Sequence, residues 1–377
     1  CTMRSITDKA RISREKLAYI ADSTSAPVSV LVPITGWAAY LSGLAVGVGC
    51  IATQDEGSAL FLRAIPFSFY PIFAVILVGL IGSGIVKDYG PMKRAEQRAM
   101  ETGKVLADGA QPLVGKELTG MEPYPGFKPR VFLNFLLPVL MIVTVAVSTY
   151  VVYKSAKTME AFLLVVIFMT VSMMLQGIPF KEVMDTLTNG IKGALPAVIL
   201  LALAYSVNGL SQTMGTANYI ISLTQGLLTP HLLPCVIFMV AAVMAFATGS
   251  SWGTFAICMP IALPLAFSMS GGEVTQLVVA VFAAVAGGGV FGDHCSPISD
   301  TTILSSSGAG CSHIQHVGTQ IPYACLVAAC CFAAYLAAGF SGGSVLLTLV
   351  TGIGLLLLAL FTLHKRAKRR LEKEAAA

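Results

Sequence analysis

Two aspartates lie in a part of the chain that carries almost no other charge. Between Lys192 and Lys365 there is no Lys or Arg, and the only acids are Glu273, Asp293 and Asp300. A charged side chain at the centre of a bilayer costs roughly 2.5 to 3.5 kcal/mol on insertion scales. Acids kept in such surroundings are typical of ion or proton chemistry, so Asp293 and Asp300 are the first candidates for a site. Glu273 lies in a predicted turn and is not a candidate.

The stretch between the two aspartates is rich in oxygen atoms, which sodium, like calcium and magnesium, prefers as ligands. A second polar interruption of an apolar run, upstream, offers further hydroxyl groups. Beside Asp293 and Asp300, the candidate ligands are Ser296, Ser299, Thr301, Thr302, Ser250, Ser251 and Thr254. We predict that transported sodium binds at Asp293 and Asp300 and competes there with a proton for a carboxylate. The alternative for the hydroxyl residues is that they cap helix ends.

A related pattern lies near the N-terminus, where Asp22, Ser23 and Thr24 precede Pro27 and an apolar run. Its composition is similar to that of the stretch around Asp293. Secondary transporters often bring two such breaks together through inverted repeats. We therefore predict Asp22, Ser23 and Thr24 as ion- or proton-binding residues supplied by a first repeat.

The elements that hold these residues must be membrane helices, because the composition leaves little surface for water. Hydrophobic residues make up 55% of the chain and charged residues 11%, whereas soluble domains carry about 25% charged residues. The net charge of +5 comes from basic residues gathered in blocks at 4–16, 87–130 and 365–373. The positive-inside rule places these blocks in the cytoplasm. The positive charge is therefore explained without binding to nucleic acid.

Apolar runs of about 20 residues, the length that crosses a bilayer, recur along the chain. They predict an all-α, polytopic transmembrane helical bundle with inverted repeats, a re-entrant hairpin and broken helices. The predicted parts are residues 1–86, the remainder of a first transmembrane repeat; 87–130, a cytoplasmic connector; 131–364, a second transmembrane repeat; and 365–377, a basic cytoplasmic tail.

Within the second repeat we predict a hairpin at about 231–270 and a broken helix at about 273–311. If the first of these segments crossed the membrane once, the basic tail would lie outside the cell. A hairpin that returns to its own side keeps both basic blocks in the cytoplasm. We also expect His313 and His316 near the cytoplasmic interface, and residues 180–193 in a short interfacial helix.

Four ordered motifs resemble the NhaC-type sodium/proton antiporter family. They are Ser13-Arg-Glu-Lys-Leu-Ala-Tyr-Ile-Ala-Asp-Ser-Thr-Ser-Ala-Pro27, Gly249-Ser-Ser-Trp-Gly-Thr-Phe255, Gly292-Asp-His-Cys-Ser-Pro-Ile-Ser-Asp-Thr-Thr302 and His316-Val-Gly-Thr-Gln-Ile-Pro-Tyr323. The resemblance implies an exchanger of the ion transporter superfamily in the inner membrane of a bacterial or archaeal cell. It also implies two inverted repeats, each with a hairpin and a broken helix.

The same resemblance leaves the cargo open, since the family includes sodium-linked malate/lactate exchangers and carriers of amino acids. Longer members carry a further hydrophobic region before the segment that begins here at Cys1. The chain also opens without Met in a basic, helix-like segment, so we expect part of the first repeat to be absent. The expected partners are sodium ions, protons and the lipid bilayer, with no nucleic acid and no cofactor. A homodimer is left open.

Three other functions are suggested by single features of the sequence. Gly249-Ser-Ser-Trp-Gly253 fits the pattern of a serine nucleophile, but that pattern requires a strand-to-helix turn, so we do not expect an enzyme. A zinc site at His294, Cys295, Cys311 and His313 lacks the usual paired spacing. A channel remains an alternative, because broken helices also build selectivity filters.

Overall fold

The computed structural model describes residues 3–112, 124–127, 130–153, 157–215, 219 and 229–375. These residues are helices and connections, and their one β-bridge joins Pro112 to Ser312. The chain divides into two compact units. One unit is built from residues 1–33, 37–113 and 197–377, and the other from residues 34–36 and 114–196.

The N-terminal part of the first unit contains short helices separated by breaks. Its helices are α1 (Arg4–Lys9), α2 (Arg14–Ser23), α3 (Ala26–Leu31), α4 (Gly36–Ala45), α5 (Gln54–Ala64), α6 (Phe69–Gly82) and α7 (Gly90–Thr102). Local sequence sets several of the ends. Ser13 caps α2, Thr53 and Glu56 form a capping box before α5, and Gly103 ends α7 in the left-handed conformation.

The second unit contains α8 (Leu137–Tyr153), α9 (Thr158–Leu175) and the beginning of α10 (Phe180–Thr213). A π-helical turn, Phe132–Leu136, leads into α8. Large apolar side chains are exposed along α8 and α9, including Val143 and Phe162. Helices that are apolar on their outer surface are suited to lipid. The predicted interfacial helix at residues 180–193 is wrong, because α10 continues through Pro196 to Thr213 without a break.

The C-terminal part of the first unit contains most of the long helices. They are α11 (Leu233–Thr248), α12 (Ser251–Met269), α13 (Gln276–Cys295), α14 (Asp300–Ala309), α15 (His313–Phe340) and α16 (Val345–Ala375). α13 is the central helix, since every residue from Val278 to Val290 is buried. Its composition of Ala, Gly and Val lets neighbouring helices approach closely on all sides.

Glycines on α13 fix its packing against α11. A side chain at Gly288 would meet the carbonyl oxygen of Phe238, and one at Gly292 would meet that of Ala242. Because contacts advance in the same direction along both helices, α11 and α13 run parallel.

α12 runs in the opposite direction to α13. Ser251, at its start, contacts Asp293 near the end of α13, and Ser270, just after its end, contacts Thr275 just before α13 begins. α11 and α12 are therefore antiparallel to each other and form a hairpin. The hairpin tip is only two residues long, because Gly249 ends α11 with φ +66° and Ser250 caps α12.

Two broken helices meet near the hairpin tip. One is α13 followed by α14, with residues 296–299 between them. The other is α2 followed by α3, with Thr24 and Ser25 between them. Arg14 at the start of α2 bonds the carbonyl of Gly310 just after α14, and Ser23 at the end of α2 bonds His294 at the end of α13. The two broken helices thus run antiparallel and meet at their breaks.

Five of the described helices are long and apolar enough to cross a membrane, or up to seven if each bent pair counts as one span. The bent pairs are α2–α3 with α4, and α5 with α6. The all-α transmembrane bundle with broken helices is therefore confirmed. Within the broken helix predicted at about 273–311, the break itself is confined to residues 296–299, since α13 continues to Cys295 and α14 begins at Asp300.

Candidate functional site

Asp293 is completely buried at the point where the hairpin tip meets the break between α13 and α14. Three hydroxyl groups donate to its carboxylate: Ser299 to Oδ1 at 2.7 Å, Thr301 to Oδ2 at 3.3 Å and Ser251 to Oδ2 at 3.4 Å. The Thr302 hydroxyl donates to the main-chain oxygen of Asp293 at 3.3 Å. The structure therefore gathers oxygen atoms from α12, α13 and α14 around one acid.

Local folding places these groups. Gly249 packs directly on Ile298, with no room for a side chain between them, so the tip lies against the break. Asp293 occupies the last turn of α13, and Thr301 lies in the first turn of α14. The end of one helix and the start of the next therefore present their side chains and main-chain groups to a common point.

Asp22 lies in a second buried polar cluster, with His316 and Gln320, that adjoins His294. It is also completely buried, and its Oδ2 accepts a 2.6 Å hydrogen bond from the amide nitrogen of Gln320. The same nitrogen donates to the main-chain oxygen of His294. His316 Nε2 lies 3.4 Å from Asp22 Oδ2, and Asp22 Oδ1 has no hydrogen-bond partner.

His294 joins the two broken helices. Its Nε2 lies 3.0 Å from the Ser23 hydroxyl and its Nδ1 lies 2.6 Å from the Tyr70 hydroxyl. Both ring nitrogens are engaged, so the ring is held in place between α2 and α6. Asp293 and the Asp22 cluster are thus linked through one residue and its main chain.

Asp300 is half-buried at the start of α14, and one of its carboxylate oxygens accepts from the Thr301 main-chain nitrogen. A carboxylate is favoured there because the start of a helix carries partial positive charge. It lies close enough to Asp293 to interact electrostatically. Asp300 therefore borders the buried site.

Other predicted ligands have local partners of their own. Ser296 donates to the Phe246 carbonyl, Ser250 caps the start of α12, and the Thr254 hydroxyl donates to the carbonyl of Ser250. Thr24 is exposed and its hydroxyl donates back to Ile20. Ser296, Ser250, Thr254 and Thr24 are therefore not brought to the Asp293 carboxylate.

The sequence did not indicate His294, Tyr70 and Gln320 as parts of the site. It also gave no sign that His316, which is completely buried, lies beside Asp22. The available signal was the i, i+4 spacing of His316 and Gln320, which puts two polar side chains on one face of an apolar helix.

An ion-pair network holds the start of α2 against α7. Arg98 donates to both carboxylate oxygens of Glu15 at 2.9 Å, and Lys16 contacts Asp88 at 2.7 Å and Glu96 at 3.5 Å. Glu15 is 1% exposed. These contacts fix the N-terminal end of α2, whereas Asp22 lies at its C-terminal end.

A model of the Na+/H+ antiporter family matches residues 28–340, which include the hairpin and the broken helix formed by α13 and α14. The chain belongs to the Na+/H+ antiporter family. Its apolar helices and this membership make it a multi-pass membrane protein from a family of antiporters.

The relatives of this chain include antiporters named for different cargoes. An uncharacterized protein of Haemophilus influenzae is 32% identical over 96% of this chain and 71% of its own length. The malate-2H(+)/Na(+)-lactate antiporter of Bacillus subtilis is 26% identical over 38% of this chain and 30% of its own. The arginine/ornithine antiporter ArcD of Halobacterium salinarum is 28% identical over 43% of this chain and 33% of its own. No solved structure matches the chain.

Proposed function

We propose that the protein exchanges sodium ions for protons across the inner membrane, and that both ions compete for the carboxylate of Asp293. The observation that carries this proposal is the set of three hydroxyl groups around a fully buried carboxylate. Family membership supports antiport in general. The positions of the oxygen atoms support sodium, because a small hard cation prefers such ligands.

Competition follows from the cost of burying charge. An isolated carboxylate in this position would be strongly destabilised, so a proton or a cation must accompany it. In the proton-bound form Asp293 is a neutral acid. In the sodium-bound form the proton has left, and the ion is bound by the carboxylate and by lone pairs of the Ser251, Ser299 and Thr301 hydroxyls. Both forms are neutral, so neither incurs the cost of an unpaired buried charge.

Asp300 is the second acid of this proposal. Because it is half-buried beside the site, it attracts cations toward Asp293 without bearing the full cost of burial. We propose that it contributes to the sodium site at the edge, while Asp293 is the residue that alternates between proton and sodium.

The membrane orientation rests on charge. Arg14, Lys16 and Arg98 lie at the end of the bundle where α15 begins, and basic residues favour the cytoplasmic side. Gln320 lies at the same depth as the hairpin tip. Between Gln320 and the start of α15 at His313 there are seven residues of helix, or about 10 Å. The tip therefore lies about 10 Å from the end at which α15 begins. We propose that the hairpin enters from the outer side and that its tip stops inside the membrane.

Exchange of small organic acids or amino acids is the alternative. Its support is that two relatives are named as a malate-2H(+)/Na(+)-lactate antiporter and an arginine/ornithine antiporter. In these exchangers a cation site and an organic cargo can coexist, so the Asp293 geometry is compatible with either.

Exchange in proteoliposomes tests the proposal. Vesicles that contain a pH-sensitive dye are given an outward sodium gradient, and acidification of the interior is followed. Sodium alone should drive saturable proton movement. If proton movement requires malate, lactate or an amino acid, the alternative holds. Flux that does not saturate and needs no counter-ion would indicate a channel instead.

A further inference from the structure

We infer that Asp22 and His316 form a second proton-binding site, distinct from Asp293, whose proton is transported together with the one on Asp293. The inference rests on the proposed exchange and extends it. Both residues are completely buried, and the distance from His316 Nε2 to Asp22 Oδ2 is 3.4 Å. At this distance a proton on the imidazole compensates the charge of the carboxylate.

The surroundings of Asp22 require such compensation. Among the described residues the carboxylate accepts one hydrogen bond, from Gln320, and its Oδ1 has no partner. A buried carboxylate with a single neutral donor is far from satisfied. His316 is the neighbouring group that can supply a positive charge.

His316 differs from the two neighbouring histidines in its freedom to change protonation state. His294 has hydrogen bonds at both ring nitrogens, to Ser23 and Tyr70. His313 is likewise bonded at both, to Ser306 and Pro297. Neither nitrogen of His316 has a hydrogen-bond partner among the described residues. It can therefore gain or lose a proton without breaking a hydrogen bond that orients the ring.

The ligand of this pair is a proton and not a second sodium ion. The atom that faces the carboxylate is a nitrogen, whereas sodium prefers a shell of oxygen atoms. The titratable groups that face His316 are Asp22 on α2, His294 on α13 and His313 on its own helix, with the Cys311 thiol beside its main chain.

Gln320 links this pair to the sodium site. Its amide nitrogen donates both to Asp22 and to the main-chain oxygen of His294, the residue after Asp293. A shift of the α13 end when sodium replaces the proton on Asp293 would therefore move the amide group that donates to Asp22. In the sodium-bound state both protons have left, one from Asp293 and one from the pair, and one sodium ion has entered. One net negative charge then stays on Asp22, which is close enough to Asp293 to interact electrostatically with the cation bound there.

The stoichiometry is measurable. With about two protons per sodium ion, a fixed gradient of one pH unit at zero membrane potential balances about a 100-fold sodium gradient, and with one proton about a tenfold gradient. Proteoliposomes with the potential clamped by equal potassium and valinomycin are used to find the sodium gradient at which proton movement stops. We expect the 100-fold value for the unchanged protein and the tenfold value for His316→Gln and Asp22→Asn. His231→Gln, in the exposed turn just before α11, is the matched control and should keep the 100-fold value.

A second measurement needs no variant. Sodium added to the purified full chain in weak buffer should release about two protons for each sodium ion bound, as separate titrating groups require. A ratio of one in the unchanged protein overturns the inference, and so does a His316→Gln variant that exchanges with the unchanged ratio. Asp293→Asn separates the two proposals: if this variant still binds sodium normally, the proposed exchange site itself is wrong, whatever the pair does.

Discussion

Ser23 and His294 are hydrogen bonded, Oγ to Nε2 at 3.0 Å, although 271 positions separate them in the sequence. The bond joins the last residue of α2 to the last turn of α13. Both helices break immediately afterwards, so two interrupted membrane helices are tied together at their breaks. Interrupted helices expose main-chain groups and helix ends, which is how secondary transporters build ion sites.

Replacement of Gly249 should separate the hairpin tip from the break. Gly249→Ala places a side chain against Ile298 in a backbone conformation with φ +66°. Gly271→Ala is the matched control, since Gly271 has φ +68° and open space around it. Both variants bear the left-handed cost of about 1 to 2 kcal/mol. We expect only Gly249→Ala to weaken sodium binding, and calorimetry at several sodium concentrations measures this. Equal sodium affinities in the two variants would show that the contact is unimportant.

Tight packing of α13 predicts opposite effects for two glycines. Gly288→Ala would press against the carbonyl of Phe238, whereas Gly318→Ala, on α15, meets nothing within 4 Å. Overpacking costs about 1 to 3 kcal/mol, and Ala in a helix is favoured over Gly by up to about 1 kcal/mol. Thermal unfolding in detergent should therefore show a lower midpoint for Gly288→Ala and an unchanged or higher one for Gly318→Ala. A higher midpoint for Gly288→Ala would contradict the packing of α11 on α13.

Loss of Arg98 should destabilise the start of α2. Arg98→Met leaves the buried Glu15 carboxylate without its cation, and breaking such a pair costs about 3 kcal/mol or more. Lys104→Met removes an exposed pair with Asp108 and is the control. Limited proteolysis around α1 and α2 should be accelerated in Arg98→Met alone. Similar cleavage rates in both variants would show that the Arg98 pair does not hold α2.

The proposed orientation of the hairpin predicts which side of the membrane its ends reach. In a cysteine-free background, His231→Cys and Gly271→Cys should both react with an impermeant thiol reagent added outside the cell. Gln97→Cys, on the exposed face of α7, should react only from the cytoplasmic side. Reaction of Gly271→Cys from the cytoplasm alone would mean that the segment crosses the membrane once.

The sequence alone predicted a helical membrane protein. It also singled out the two acids that the structure buries completely. Asp22 and Asp293 stood out because each acid is followed by hydroxyl residues and lies beside apolar runs. The extent of the breaks was not predictable in the same way. Polar residues such as Asp293 and His294 continue a helix when its end is packed by neighbours, and that packing is a tertiary property.

The sequence also could not predict which groups the Ser and Thr hydroxyls would hydrogen bond to. Thr254 and Thr24 donate to carbonyls in their own helix or turn, a local alternative that is always open to Ser and Thr. Ser299 and Thr301 have the same chemistry but reach Asp293. The fold decides between these outcomes by placing the acid within reach of some hydroxyls and not of others.

Sodium binding to the purified protein, measured with radioactive sodium at several pH values, tests the central claim most directly. Because protons and sodium compete, the apparent sodium affinity should fall as the pH is lowered. The limit is about tenfold for each pH unit when Asp293 alone releases a proton, and about 100-fold when the pair of Asp22 and His316 releases a second one. Asp293→Asn should bind no sodium at any pH. Asp300→Asn should bind it more weakly, and Glu273→Gln, on an exposed turn, should bind as the unchanged protein does. Saturable sodium binding by Asp293→Asn with unchanged affinity and pH dependence would contradict the account.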